Sequence, residues 1–241
     1  MHLFENAQSR GYARLAGVFY LIIAVAGGFS IAYVPSQLQV AGDPAATFAN
    51  IAAHPGLFHL GLAGDLVMML AEIMVTAMLF FMFRPVNATL SLAAALARFA
   101  MVTVMAAMLF FHIGAMALVR PDLGLGSLSA AQRLDLAGLL LAMHDGGVWI
   151  WQVFFTAHLL LLGQLVARSG RFPRVLGQAL SLGGLGYLLD SIHAFAAPDA
   201  DWLGMLRIAL LVLVTLAEIG FALWLVFGRV AAARVTAPAA A

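Results

Sequence analysis

Seven histidines, eleven acidic residues and twelve basic residues, all of them arginine, carry nearly all the chemistry open to this 241-residue sequence. There is no cysteine, so disulfides, thiolate metal sites, haem thioethers and cysteine nucleophiles are excluded. The ionisable residues that interrupt apolar runs fall on helical stripes at 100° per residue. Asp65 and Glu72 are seven apart, about 20° off one line, and Arg98 and His112 fourteen apart, about 40° off. His144, Trp151 and His158 repeat every seven residues, Asp190 and His193 are one turn apart, and Arg207 and Glu218 lie about 20° apart. Five helices therefore each turn their polar residues to one face, as any bundle in a bilayer requires.

Depth along each helix sorts these residues into two layers. His59, Asp65, His112, His144, Asp145, Asp190, His193 and Arg207 fall toward one face of the membrane. Glu72, His158, Glu218 and Arg98 lie deeper. The outer layer is expected to form a pocket that binds, senses or moves a small ligand or ion, built from Asp65, His112, His144, Asp190 and His193, with Tyr187 as a hydroxyl and Trp151 as a wall. Imidazole and carboxylate suit zinc, iron, manganese or copper, so His112, His144, His193 and Asp65 are candidate metal ligands, with Asp190 able to orient a ligating histidine. No H-x-x-x-H or H-E-x-x-H spacing accompanies them. Haem is a further option if His112 faces His193, or His59 faces His144. A bound metal would allow a hydrolase with Asp65 or Asp145 as base; an accessory subunit of a membrane complex needs no site. In the deeper layer Arg98 is expected to pair with Glu72 or Glu218, or Glu72, His158 and Glu218 to relay protons. Met68, Met69, Met101, Met105 and Met108 are read as packing.

Positioning these residues falls to an all-α bundle. Apolar residues make up 64% of the chain and charged residues 10%, and mean hydropathy is +1.02. A helix needs about 20 apolar residues to cross a bilayer. Six segments meet that length, at 13–34, 56–83, 86–119, 142–166, 175–197 and 202–227, within one membrane domain spanning 1–241. Arg10, Arg14, Arg84, Arg168, Arg171, Arg174, Arg229 and Arg234 gather on one side. Arg120 and Arg133 on the other are balanced by Asp122 and Asp135, with Asp43, Asp199 and Asp201. Positive charge stays inside, so both termini are expected in the cytoplasm of a bacterial inner membrane. Lipid is the expected partner, no basic block invites nucleic acid, and oligomeric state is left open.

Shorter signals fill the gaps. Ala24-Val25-Ala26 resembles a signal-peptidase site, but the apolar run continues eight residues further, so an uncleaved helix is expected. Asp43-Pro44 opens a short helix through Ala53, closed by His54-Pro55-Gly56. Ser129 caps a separate interfacial helix holding Gln132, Arg133 and Asp135. Trp149, Trp151 and Trp202 read as an aromatic belt, His54 and His2 as exposed, and Thr236–Ala241 as a loose tail. Gly177 and Ser181 form a small-xxx-small pair for helix contact.

The order of local motifs carries a resemblance. Arg14-Leu15-Ala16-Gly17 is followed by Gly42-Asp43-Pro44 with Ala52-Ala53, then Leu60-Gly61 and Gly64-Asp65-Leu66. Phe83-Arg84-Pro85-Val86-Asn87, Leu96-Ala97-Arg98, Met143-His144 and His158 through Leu165 come next. Ser169-Gly170, Pro173-Arg174-Val175-Leu176-Gly177 and Gly186-Tyr187-Leu188 complete the series. In this order the chain resembles the bacterial integral membrane proteins grouped as domain of unknown function 4386. The resemblance implies a six-helix membrane fold and brings no activity.

Overall fold

The computed structural model describes residues 4–120 and 127–228. His2, Asp122, Arg229, Arg234 and Thr236–Ala241 lie outside the described residues. Among the described residues there are eight α-helices, one π turn and no strand: α1 (Arg10–Gly27), the π turn (Gly28–Tyr33), α2 (Val34–Leu38), α3 (Pro44–Ala53), α4 (Pro55–Phe83), α5 (Ala88–Val119), α6 (Ala130–Arg168), α7 (Arg174–Ala196) and α8 (Asp201–Phe227). Arg10–Leu38, α4, α5, α6, α7 and α8 are long and apolar enough to cross a membrane. This is a multi-pass membrane protein whose outer surface meets lipid.

Local chemistry sets the helix ends. The side chains of Ser9, Asp43, Asn87 and Ser129 each accept the backbone N–H three residues on, the usual N-cap bond. Ser129 and Gln132 close a reciprocal capping box. The π turn has a legible cause. Pro35 cannot donate a backbone bond, and its ring presses on the preceding turn. The Val34 N–H then reaches back five residues to the Phe29 carbonyl, which widens the helix at Ser30.

One expectation is corrected. The helix capped by Ser129 is not separate from the fourth span; both belong to α6, 39 residues long and about 58 Å. Nothing between Asp135 and Ala142 breaks it. Ala137 is buried there with Val34, Leu38, Phe48, Ile51 and Ala115, and Gly138 packs close to Pro44 of α3. His144 and Asp145 therefore sit about four turns inside α6 rather than opening it.

The spans pack in chain order into a closed ring. Each neighbours the one before and after it, and α8 returns to α1. Tyr20, Val75, Met78, Leu159, Val214 and Phe221 are among the residues that fill the centre. One end of the ring carries α2 and α3. At the other, Arg171 between α6 and α7 donates to the Gln8 side chain at 2.7 Å and to its carbonyl at 3.3 Å. Gln8 in turn donates to the Met82 carbonyl at 3.2 Å. Burial pulls the Arg171 pKa below the ordinary arginine value. Phe172 packs at a tilt against Phe83 and Phe221, so this end is plugged.

Close helix contacts rest on glycine. Gly177 meets Gly163 and Ala167, and Ser181 also faces Gly163, as the small-residue pair anticipates. At Gly183 an added Cβ would stand 2.6 Å from the Val214 backbone nitrogen, whereas Gly146 faces open space. Gly183→Ala should cost about 1–3 kcal/mol through overpacking, while Gly146→Ala is neutral or stabilises by about 0.5 kcal/mol. Denaturation of both variants in detergent checks this pair.

Candidate functional site

The π turn opens onto a cavity of about 150 Å³ between the first span, α4, α5 and α6. Asp65, His112, His144 and Trp151, all chosen from the sequence, line it together with Asp145. The imidazoles of His112 and His144 stack face to face, with ring centroids 3.6 Å apart and planes 12° from parallel. Asp145 Oδ1 lies 3.4 Å from His144 Nδ1. Met68, Met69, Met105 and Met108 form much of the apolar wall, with Ile31, Pro35, Leu109 and Val148. A smaller pocket of about 40 Å³ lined by Ser30, Asp65 and His112 continues toward Thr47 and Ile51 of α3. Ser30 borders both. It is 6% exposed, and its hydroxyl meets no partner in hydrogen-bond geometry. The Asp65 carboxylate is its nearby polar neighbour.

The remaining outer residues go elsewhere. Asp190 forms an ion pair with Arg207 and accepts from Gln152 Nε2 at 2.9 Å, and Ser191 donates to Gln152 Oε1 at 3.1 Å. This network closes the α6–α7–α8 seam. His193 packs near Gly204 of α8, and Tyr187 rests against Trp151 and Phe155; none of these three lines the cavity. His59 is exposed, beside Phe58. The expected set of His112, His144, His193 and Asp65 is thus divided between two seams. Among the described residues no three His, Asp or Glu side chains converge as metal ligands. Of the pairs considered for haem, His112 lines the cavity while His193 packs near Gly204 of α8, and His144 lines the cavity while His59 is exposed. Of the expected belt, Trp149 meets Phe195 and Trp202 is exposed, while Trp151 turns inward.

The deeper layer converges on Arg98, which is 0% exposed. Its Nε donates to Glu72 Oε2. Nη1 donates to the Tyr20 hydroxyl at 3.3 Å and to His158 Nε2 at 2.9 Å. His158 Nδ1 lies 2.9 Å from the Ala94 carbonyl. A carbonyl only accepts, so Nδ1 carries the proton and Nε2 offers its lone pair to Arg98. Tyr20 passes its own proton to Glu218 Oε1 at 2.8 Å. The guanidinium lies 4.8 Å from the Tyr20 ring centroid and 5.6 Å from that of Phe155, within cation–π range. Arg98 therefore pairs with Glu72, and Glu218 is reached through Tyr20.

Four participants were not singled out from the sequence. Ser30, Tyr20 and Gln152 are uncharged and sit inside apolar runs. The Gly27-Gly28 and Pro35 breaks around Ser30 are the one signal that could have found it. Arg171 read only as an inside charge.

Removing one member of a buried ion pair strands the other. Arg98→Met should therefore lose about 3–5 kcal/mol, and Arg98→Met combined with Glu72→Met should lose less than Arg98→Met alone. Melting of both variants in detergent decides it.

The model of the family described as Domain of unknown function (DUF4386) matches residues 15–228. An uncharacterized protein of Archaeoglobus fulgidus is 34% identical over 87 residues, which are 36% of this chain and 49% of that relative. The chain thus spans about half the length of the curated relative it matches. No solved structure matches. With both the motif order and the six-span ring in agreement, the chain belongs to the DUF4386 family.

Proposed function

We propose that this protein sits in a bacterial cytoplasmic membrane with both termini in the cytoplasm and holds a small ligand or ion in an outward-facing cavity. The observation that carries this reading is the 150 Å³ space bordered by Asp65, His112, His144 and an unbonded, buried Ser30 hydroxyl. Buried polar atoms are nearly always bonded, so an unmet one at a cavity wall argues for an absent partner. Charge supports the orientation. The plugged end carries Arg10, Arg14, Arg84, Arg168, Arg171 and Arg174, whereas the cavity end mixes Arg120 and Arg133 with Asp43, Asp135, Asp199 and Asp201.

Binding is favoured over a proton relay or a through-path. On α4, Met68 and Met69 separate Asp65 from Glu72; on α5, Met101, Met105 and Met108 separate His112 from Arg98; on α6, Phe155 separates Trp151 from His158. This apolar layer divides the cavity from the Arg98 cluster. Both nitrogens of His158 are already engaged, so it has no free site from which to pass a proton.

The absence of cysteine allows a direct check. Ser30→Cys should react with a small, charged, membrane-impermeant methanethiosulfonate added outside intact cells. Arg168→Cys should react only after the inner face is exposed, and Leu159→Cys from neither side. A Ser30→Cys thiol reached only from inside, or a reactive Leu159→Cys, overturns the one-ended outward cavity.

A further inference from the structure

The charges around the cavity point to the chemistry of its occupant. Among the described residues lining it, the acidic and basic side chains besides the two histidines are Asp65 from α4 and Asp145 from α6, both acidic. The two histidines stack face to face and both line the cavity. Ser30, 94% buried by the 6% exposure given above, adds a hydroxyl with no bonded partner. Four methionines, Met68, Met69, Met105 and Met108, and Trp151 give the wall soft, polarizable and aromatic surface, beside aliphatic residues and the Gln39 amide.

Three occupant classes fit badly. An anion would confront both carboxylates. A neutral molecule would leave the Asp65 carboxylate uncompensated in a poorly solvated site. A bare metal ion would find no three converging imidazole or carboxylate groups among the described residues.

We infer that the cavity takes a small organic ammonium ion; the inference rests on the ligand-binding reading above. Its N–H groups donate to Asp65 and to Ser30. Its hydrocarbon body lies against the methionine thioethers, which adapt to irregular shapes, and the Trp151 ring supplies a cation–π face. The 150 Å³ volume limits that body to about one six-membered ring, since an engineered cavity of about that size holds benzene.

Three probes of one ring size and different charge test this: benzylammonium, benzyl alcohol and benzoate, titrated calorimetrically into the full chain in lipid nanodiscs. Benzylammonium should bind, benzyl alcohol at least about tenfold more weakly, and benzoate not at all. Asp65→Asn should weaken benzylammonium about tenfold and leave benzyl alcohol unchanged. Asp199→Asn, an exposed carboxylate at the same end, should change neither. If Asp65→Asn fails to fold, as melting would show, the wild-type probe series still decides. Benzyl alcohol binding as tightly as benzylammonium overturns the cation assignment and leaves the pocket reading intact. Binding of none of the three overturns both.

Discussion

A guanidinium with no exposure in the middle of a helical ring is the constraint around which this fold is arranged. A charge in an apolar interior is tolerable only with a counter-charge and hydrogen bonds. Arg98 on α5 obtains them at Nε and Nη1 from Glu72 on α4, Tyr20 on α1 and His158 on α6, while Nη2 is buried without a hydrogen-bond partner. Tyr20 then reaches Glu218 on α8. Five of the six spans are tied through one side chain, including the first and the last, whose contact closes the ring. Such a cluster contributes little net stability compared with apolar packing, but it is costly to break, and so it fixes which helices are neighbours. The spare span, α7, is secured differently, by glycine contacts to α6 and α8 and by Asp190 with Arg207 and Gln152.

A second consequence is the division of the interior into levels. Methionine and aromatic side chains lie between the Arg98 cluster and the cavity on three helices. At the far end Arg171, Gln8, Phe172 and Trp224 complete the plug, with Trp224 Nε1 donating to the Arg171 carbonyl at 3.3 Å. The polar surface of the cavity therefore belongs to one end alone. The π turn at Ser30 has a place in this geometry. Pro35 deforms the first span where the wall must open, in keeping with the frequency of such bulges at functional sites.

Much of this was legible in residue order. Six apolar runs, the caps at Asp43 and Ser129, and the face shared by polar residues on each helix all follow from periodicity and local chemistry. That Arg98 pairs with Glu72 or Glu218 follows from the cost of an unpaired arginine; which of the two does not, and the structure has Glu72. Periodicity states that a side chain points inward; it does not state into which seam. In a six-helix ring that difference separates His193 and Asp190, held at the α6–α7–α8 seam, from His112 and His144, stacked at the α5–α6 seam. The length of α6 was misjudged for a related reason: polar residues at Gln132, Arg133 and Asp135 suggest an interfacial helix, but without a proline the backbone simply continues. Hydroxyls such as those of Tyr20 and Ser30 are cheap to place in apolar segments, so composition gives no warning of them.

His158 serves as a neutral acceptor for Arg98, locked by the Ala94 carbonyl, and not as a mobile proton carrier. Nitrogen-15 NMR of histidine-labelled protein in nanodiscs, with His158 assigned by comparison with His158→Gln, measures this directly. The expected spectrum has one neutral tautomer, protonated at Nδ1 and bare at Nε2. A doubly protonated ring, or a proton on Nε2, would contradict it, because Arg98 would then have no lone pair to bond.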